Sequence, residues 1–342
     1  MLFDWCLQGR SGGSRPGKER ESLRYGLPYK GSKNQIAEWI IANLPKAETF
    51  VDLFCGGGAV THAALLSGKY KKFVMNDIDG RLPKLFLDCA YGKYTIENHP
   101  EWISREEFHS LKDSDAYIAL VWSFGNNGKD YIYGSDIEQF KHDYHTAVFE
   151  DKPELLIPYG YKIQSSHQQK PYDRYLEFNR QIKAIARSDL DSIVRQIEIE
   201  RLHSLQSLQR LQRLQSLQSL QSLQSLQSLQ SLQSDYRDVK IPQGALIYCD
   251  IPYRDTNCGK YDGFNHSDFY TWAEQQDNVF ISEYWMPDTF VQIARIEKTI
   301  LSAANGNSEN ACEKLFTNKK TFEQIDKDKY RIAEQMSIFD YL

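Results

Sequence analysis

The chain has 342 residues and a formal charge of −5. That length buries a sizeable core and suits one large domain with an insertion, and the negative balance excludes a uniformly basic nucleic-acid binder while allowing a local basic face. No apolar run reaches ~18 residues, which excludes a transmembrane helix, and Cys6, Cys55, Cys89, Cys249, Cys258 and Cys312 show neither CxxC nor zinc spacing. A reduced, cytoplasmic protein without a metal site is expected. The 21 tyrosines and 17 phenylalanines exceed what such a core requires, so some are expected as surface stacking groups.

In chain order, residues 1–22 read as a disordered basic tail and are not patterned as a signal peptide. Residues 25–33 (YGLPYKGSK) are turn-rich. Ile36, Ile40, Ile41 and Leu44 then give a helical pattern that Pro45 ends. Residues 49–54 (TFVDLF) predict a strand running into Cys55-Gly56-Gly57-Gly58, followed by a helix over 59–66. Strand, glycine turn and helix form the first unit of a doubly wound sheet, with backbone open to a ligand and free N–H groups at the helix start. Residues 72–76 predict the second strand, closing on Asp77-Ile78-Asp79. An acid roughly 20 residues beyond a glycine turn is placed to hold a ribose. Together they point to an adenosine-containing ligand. The full GxGxxG is lacking, which leans away from a pyrophosphate.

Residues 80–200 read as mostly helical. Within them, 122–134 (WSFGNNGKDYIYG) mixes Gly, Asn and aromatics. That pattern fits a loop over a base or sugar, and equally a long surface turn. Lys170, Arg174, Arg180, Lys183, Arg187, Arg195, Arg201, Arg210 and Arg213 give a basic bias that suits either a phosphate-facing surface or a solvated helix face. Residues 204–233 are ten perfect triplets of Ser/Arg-Leu-Gln. On an α-helix the leucines drift about 60° per triplet, and long 3₁₀ runs are unstable. A helix or partly ordered spacer tolerant of length change is therefore expected, with a packed coil of inward leucines as the alternative. The run LIYC over 246–249 predicts a buried strand ending in Asp250-Ile251-Pro252-Tyr253, and ligands of open α/β sheets bind at such strand ends. A strand over 278–282 and a short one near Leu315 and Phe316 complete the sheet. His62 and His266 show no ligand spacing and read as ordinary surface or turn residues.

Four blocks in this order resemble the Dam-like (alpha-group) DNA adenine-N6 methyltransferases: Tyr29 to Lys33, Asp52 to Gly58, Asn76 to Asp79, and Asp250 to Tyr253. The resemblance implies a Rossmann-like α/β methyltransferase sheet with a mostly helical inserted target-recognition region. The tail (1–22) and the repeat, read as spacer (204–234), lie outside the family's motifs; the rest divides into a catalytic domain (23–89 and 235–342) and a DNA-reading insertion (90–203). The resemblance places S-adenosyl-L-methionine at Tyr29, Lys33, Asp52, Phe54, Gly56, Gly58, Asp77, Ile78 and Asp250, and catalysis at Asp250, Ile251, Pro252 and Tyr253. The loop from Phe124 to Gly128 resembles one near the family's active site. The family's motif has proline where Ile251 stands, but Pro252 still biases Ile251 to an extended backbone.

The resemblance also implies the chemistry. A flipped adenine would stack on Tyr253 and its exocyclic amine would give its hydrogens to Asp250 and the Ile251 carbonyl, with direct in-line transfer of a methyl group. The implied partner is double-stranded DNA, with no membrane, a cognate restriction endonuclease as a further partner, and a monomer or weak dimer as the state. Two alternatives stay open: a DNA-binding protein with a decayed site, and methylation of RNA or a protein glutamine.

Overall fold

A computed structural model describes residues 25–29, 31–188, 205–253, 263–301 and 308–325. The expected tail, Lys30, Arg195, Arg201, Arg254, Cys258 and Lys260 lie outside these residues.

The first helix, α1 (Ala37–Asn43), buries Ala37, Trp39, Ile40 and Ile41. Strand β1 (Thr49–Asp52) is buried along its length, as expected of a central parallel strand. Gly58, at φ +69°, caps α2 (Ala59–Ser67); the left-handed backbone needed there favours glycine. Strand β2 (Lys72–Asp77) leads to α3 (Arg81–Ala90). Residues 90–188 are mainly helical, as anticipated: α4 (Arg105–Leu111), α5 (Ala116–Val121), α6 (Glu138–Glu150) and α7 (Pro171–Ser188). Local chemistry sets two of these starts. Ser104 and Glu107 form a capping box on α4, and the Asp115 carboxylate accepts from Ile118 N–H on α5.

The triplet repeat is not a spacer. It forms α8 (Gln206–Ser216), two 3₁₀ segments (Leu217–Ser222 and Gln224–Ser228) and strand β3 (Leu229–Gln233). Leu205, Leu208, Leu211, Leu214, Leu217, Leu220 and Leu226 are buried. The changes of conformation explain how a three-residue period packs. Three leucines on an α-helix span about 120°, close to the width of one apolar stripe. A fourth would leave the core, and there the chain tightens to 3₁₀, whose period of three keeps leucines aligned. The last triplets extend and pair in parallel with β2, Phe73 opposite Leu229 and Asp77 opposite Gln233. The approach is close: a Cβ on Gly80 would meet Gln233 at 2.4 Å. The packed alternative, with leucines facing inward, therefore describes most of the repeat.

The remaining elements are β4 (Leu246–Asp250), α9 (His266–Gln275), β5 (Val279–Glu283), β6 (Phe290–Leu301), β7 (Ser308–Asn318) and α10 (Lys319–Gln324). The seven strands are ordered β3-β2-β1-β4-β5-β7-β6. The first five are parallel, and β7 runs antiparallel to both neighbours. This is the expected Rossmann-like methyltransferase sheet. Side chains alternate between two cores. Phe50, Tyr248 and Phe280 join the helical segment on one face, while Val51, Ile247, Cys249, Ile251 and Ile281 pack on the other with Phe269 of α9. The order turns back between β1 and β4, which pair with Asp52 opposite Tyr248. That switch point opens a crevice at the carboxyl ends of both strands.

Candidate functional site

Three motif carboxylates meet at those strand ends. The Asp77 carboxylate accepts from the N–H of Gly56 (2.8 Å) and of Asp79 (2.9 Å), so the acid after β2 fixes the shape of the glycine turn. Asp52 is buried. Its Oδ2 accepts from the Thr61 hydroxyl at 2.7 Å, while its Oδ1 has no hydrogen-bond partner among the described residues. Burial, with Asp250 and Asp77 adding to it against the Thr61 bond, raises the Asp52 pKa to about 7. Tyr29 lies on the turn itself: a Cβ on Gly57 would meet the Tyr29 Cβ at 2.8 Å. Ile78, the residue after Asp77, is half exposed. Phe54 departs from the expectation of a cofactor contact in one respect, since its ring packs on Tyr236, Phe264 and Phe269.

Asp250 leads the second cluster. Its Oδ1 lies 3.0 Å from the Nζ of Lys33, which is only 7% exposed. The same ammonium stands 3.9 Å from Glu313 and 4.3 Å from the centre of the Tyr253 ring. Burial works against the charged Lys33, but Asp250 and Glu313 outweigh it and hold its pKa above the ordinary value. Burial also raises the Asp250 pKa, with Lys33 opposing; an ammonium in direct contact keeps the pair ionic. The Tyr253 hydroxyl donates to Glu313 Oε2 at 2.7 Å, and Tyr284 meets its ring edge-on at 4.5 Å. Ile251 is 2% exposed, its side chain in the second core. The Pro252 carbonyl lies 2.8 Å from His266 Nε2, a contact that puts the proton on that nitrogen.

Lys33, expected beside the cofactor, thus pairs with the Asp250 cluster. Two histidine readings also change. His266 abuts the Asp250 motif, and His62 is buried, its Nδ1 accepting from Gly26 N–H at 3.0 Å; burial, with Arg213 adding to it, lowers its pKa to about 4. Glu313 and Tyr284 were missed. Glu313 sits two residues before Leu315, so strand alternation places it on Leu315's face. The partner it finds there, Tyr253, lies 60 residues away and leaves no local signal.

The basic bias resolves differently from either expectation at three positions. Arg174 donates to the carbonyls of Val148 and Phe149, Arg210 to those of Leu120, Val121 and Ser123, and Arg213 to that of Tyr25. The loop around Phe124 projects, with that ring 63% exposed. A cavity of about 550 Å³ lies beside it, lined among others by Arg105, Phe124, Tyr131, Tyr133 and Gln206.

Residues 29–185 match the model of the family described as D12 class N6 adenine-specific DNA methyltransferase. Over that segment the chain is similar to this family. The match carries the Tyr29 block, the glycine turn, Asp77 and the Phe124 loop, and stops before the repeat and β4. The chain is also similar to the Type II methyltransferase M.MjaIII of Methanocaldococcus jannaschii, 30% identical over 150 residues. The similarity covers 39% of this chain, which spans about half of that relative, 51%. The resemblance stated from the motifs is borne out. No helix among the described residues is long and apolar enough to cross a membrane, and they contain no group of three or more His, Cys, Asp or Glu able to hold a metal ion.

Proposed function

We propose that the chain is a site-specific DNA adenine methyltransferase that transfers a methyl group from S-adenosyl-L-methionine to the N6 amine of a flipped adenine. The observation that carries this reading is the placement of Asp250, held by Lys33, at the switch point beside the glycine turn of the matched family. The Lys33 ammonium is matched by Asp250 and Glu313, and Asp52 and Asp77 add two further carboxylates at the neighbouring strand ends. This negative field, with the buried and unpartnered Oδ1 of Asp52, fits a cationic cofactor. Tyr29, Asp52, Gly56, Gly58, Asp77 and Ile78 would hold it, with Phe54 contributing backbone. When bound, S-adenosyl-L-methionine supplies an electrophilic methyl group.

The chain's own residues then have these roles. Tyr253 offers a stacking face worth ~1–3 kcal/mol per base, comparable with the few kcal/mol that flipping costs. Glu313 and Tyr284 fix that ring. Asp250 accepts one amino hydrogen and the Ile251 carbonyl the other, which favours a pyramidal nitrogen with its lone pair free. Residues 90–203 would read the DNA, with the Phe124 loop at the target base. We further assign the protein to the cytoplasm, as a monomer or weak dimer, beside a cognate endonuclease of a restriction-modification pair.

The deciding assay is methyl transfer from labelled cofactor to duplex DNA. The purified chain is expected to label adenine, and Asp250→Ala to abolish labelling while cofactor affinity stays within several-fold. A chain that binds DNA and cofactor but labels no duplex overturns the reading.

A further inference from the structure

The repeat is degenerate. Slid by one triplet, it presents the same residue types at every position except where arginine replaces serine, at Arg210 and Arg213. Ser207 and Gln233 also touch the motif stretches, at the Tyr133 hydroxyl and the Ile78 carbonyl, but only the two arginines differ from the repeated residue types, and both reach backbone carbonyls outside the repeat. Arg210 Nη1 donates to the carbonyls of Leu120 (3.4 Å), Val121 (2.9 Å) and Ser123 (2.5 Å). It thereby caps the carboxyl end of α5, where cations are favoured. Burial lowers its pKa to about 10, so it stays charged at neutral pH. The Phe124 loop hangs from two of the same residues: Asn126 Nδ2 donates to the Leu120 carbonyl (2.8 Å), and Gly128 N–H donates to Ser123 Oγ (3.0 Å).

Arg213 lies one triplet on and reaches a different loop. Its Nη2 donates to the Tyr25 carbonyl at 3.1 Å. The next two amides are tied to the glycine turn and its helix, Gly26 N–H to His62 and Leu27 N–H to Gly57 O at 2.7 Å. Arg213 therefore holds the block that lays Tyr29 against the glycine turn.

We infer that Arg210 and Arg213 are positioning residues that set the register of the repeat and tie it to two loops, Arg210 to the target-base loop and Arg213 to the cofactor block. The loops' roles rest on the methyltransferase reading; the two tethers do not. Single cations placed one triplet apart on a helix point about 60° apart, which is how one element holds two loops separately.

The experiment compares Arg210→Gln and Arg213→Gln in the full chain by amide hydrogen exchange and by titration with S-adenosyl-L-methionine. For Arg210→Gln, exchange at Phe124 and Gly128 should speed up about tenfold or more, with cofactor affinity within twofold and a lower kcat on DNA. For Arg213→Gln, exchange at Gly26 and Leu27 should speed up, cofactor affinity should weaken several-fold, and the Phe124 loop should be unchanged. Arg210→Lys, which keeps the charge, should restore part of the protection. Both variants loosening both loops equally, in step with a lower Tm, would reduce the arginines to general packing and overturn the inference, as would no change in either loop. A wild-type chain that neither binds cofactor nor methylates would sink the functional reading, while the exchange pattern still decides the tethers.

Discussion

Asp52 is the residue whose chemistry is most exposed to test. Its carboxyl moves from the ordinary 3.8 to about 7 because it is buried beside other acids. Between those values the folded chain keeps a proton that the unfolded chain has lost, so this group's contribution to stability falls as pH rises through that window. A cation held close to the buried carboxyl reverses the preference by favouring the ionised form. Affinity for S-adenosyl-L-methionine should therefore tighten roughly tenfold between about pH 6 and about pH 8, and Asp52→Asn should bind weakly with a flat profile. Calorimetric titration across that range checks both; a steep profile that survives in Asp52→Asn would remove Asp52 from the cofactor site. At Tyr253, ring and hydroxyl separate cleanly. Tyr253→Phe keeps the ring and loses the hydroxyl's hydrogen bonds, that to Glu313 among them, so kcat should drop less than in Tyr253→Ala, which also loses stacking of ~1–3 kcal/mol. Equal losses would make the hydroxyl, not the face, the working part. The motif residues were legible because glycine turns and strand-end acids have local signatures. Glu313 was not, because its role comes from pairing across the sheet.

At the scale of elements, the parallel strands could be read directly, since buried runs such as LIYC are short, apolar and end in turn chemistry. The repeat could not, because no single regular element has its period and the chain changes conformation along it. The leucine on the α-helical part should behave as core: Leu214→Ala should cost about 2–5 kcal/mol. Leu232 on edge strand β3 is only partly buried, and the same change there should cost clearly less. Urea midpoints of the two variants decide this. Equal, small losses would restore the spacer reading that the packing contradicts. The same burial bears on length change: removing a triplet between Leu217 and Ser228 deletes a packed leucine, yet leaves Arg210 and β3 each in an unchanged local sequence.

For the whole molecule, the proposed division into a catalytic sheet and a DNA-reading insertion need not mean two independently folding units. One apolar core runs from Phe50 and Tyr248 on the sheet through Leu211, Leu214 and Leu220 of the repeat to Tyr144 and Phe178 of the helical segment. The repeat is tied to both sides of the divide, to the helical segment through Arg210 and the end of α5, and to the sheet through β3 and β2. Opening one part would expose leucines that the other covers, and a core shared in this way favours one all-or-none transition. Two tryptophans report on the two sides: Trp122 is buried in the helical segment, and Trp272, on α9, packs against Tyr236. In single-tryptophan variants, fluorescence from Trp122 and from Trp272 should be lost at the same urea concentration as the far-UV circular dichroism. If the Trp122 signal melts first with its own slope, residues 90–188 form a separate domain and the repeat is a hinge, not a seam. Coincident curves would mean that a change in the number of triplets is felt in the stability of the catalytic sheet, even though every triplet lies outside the strand-end motifs.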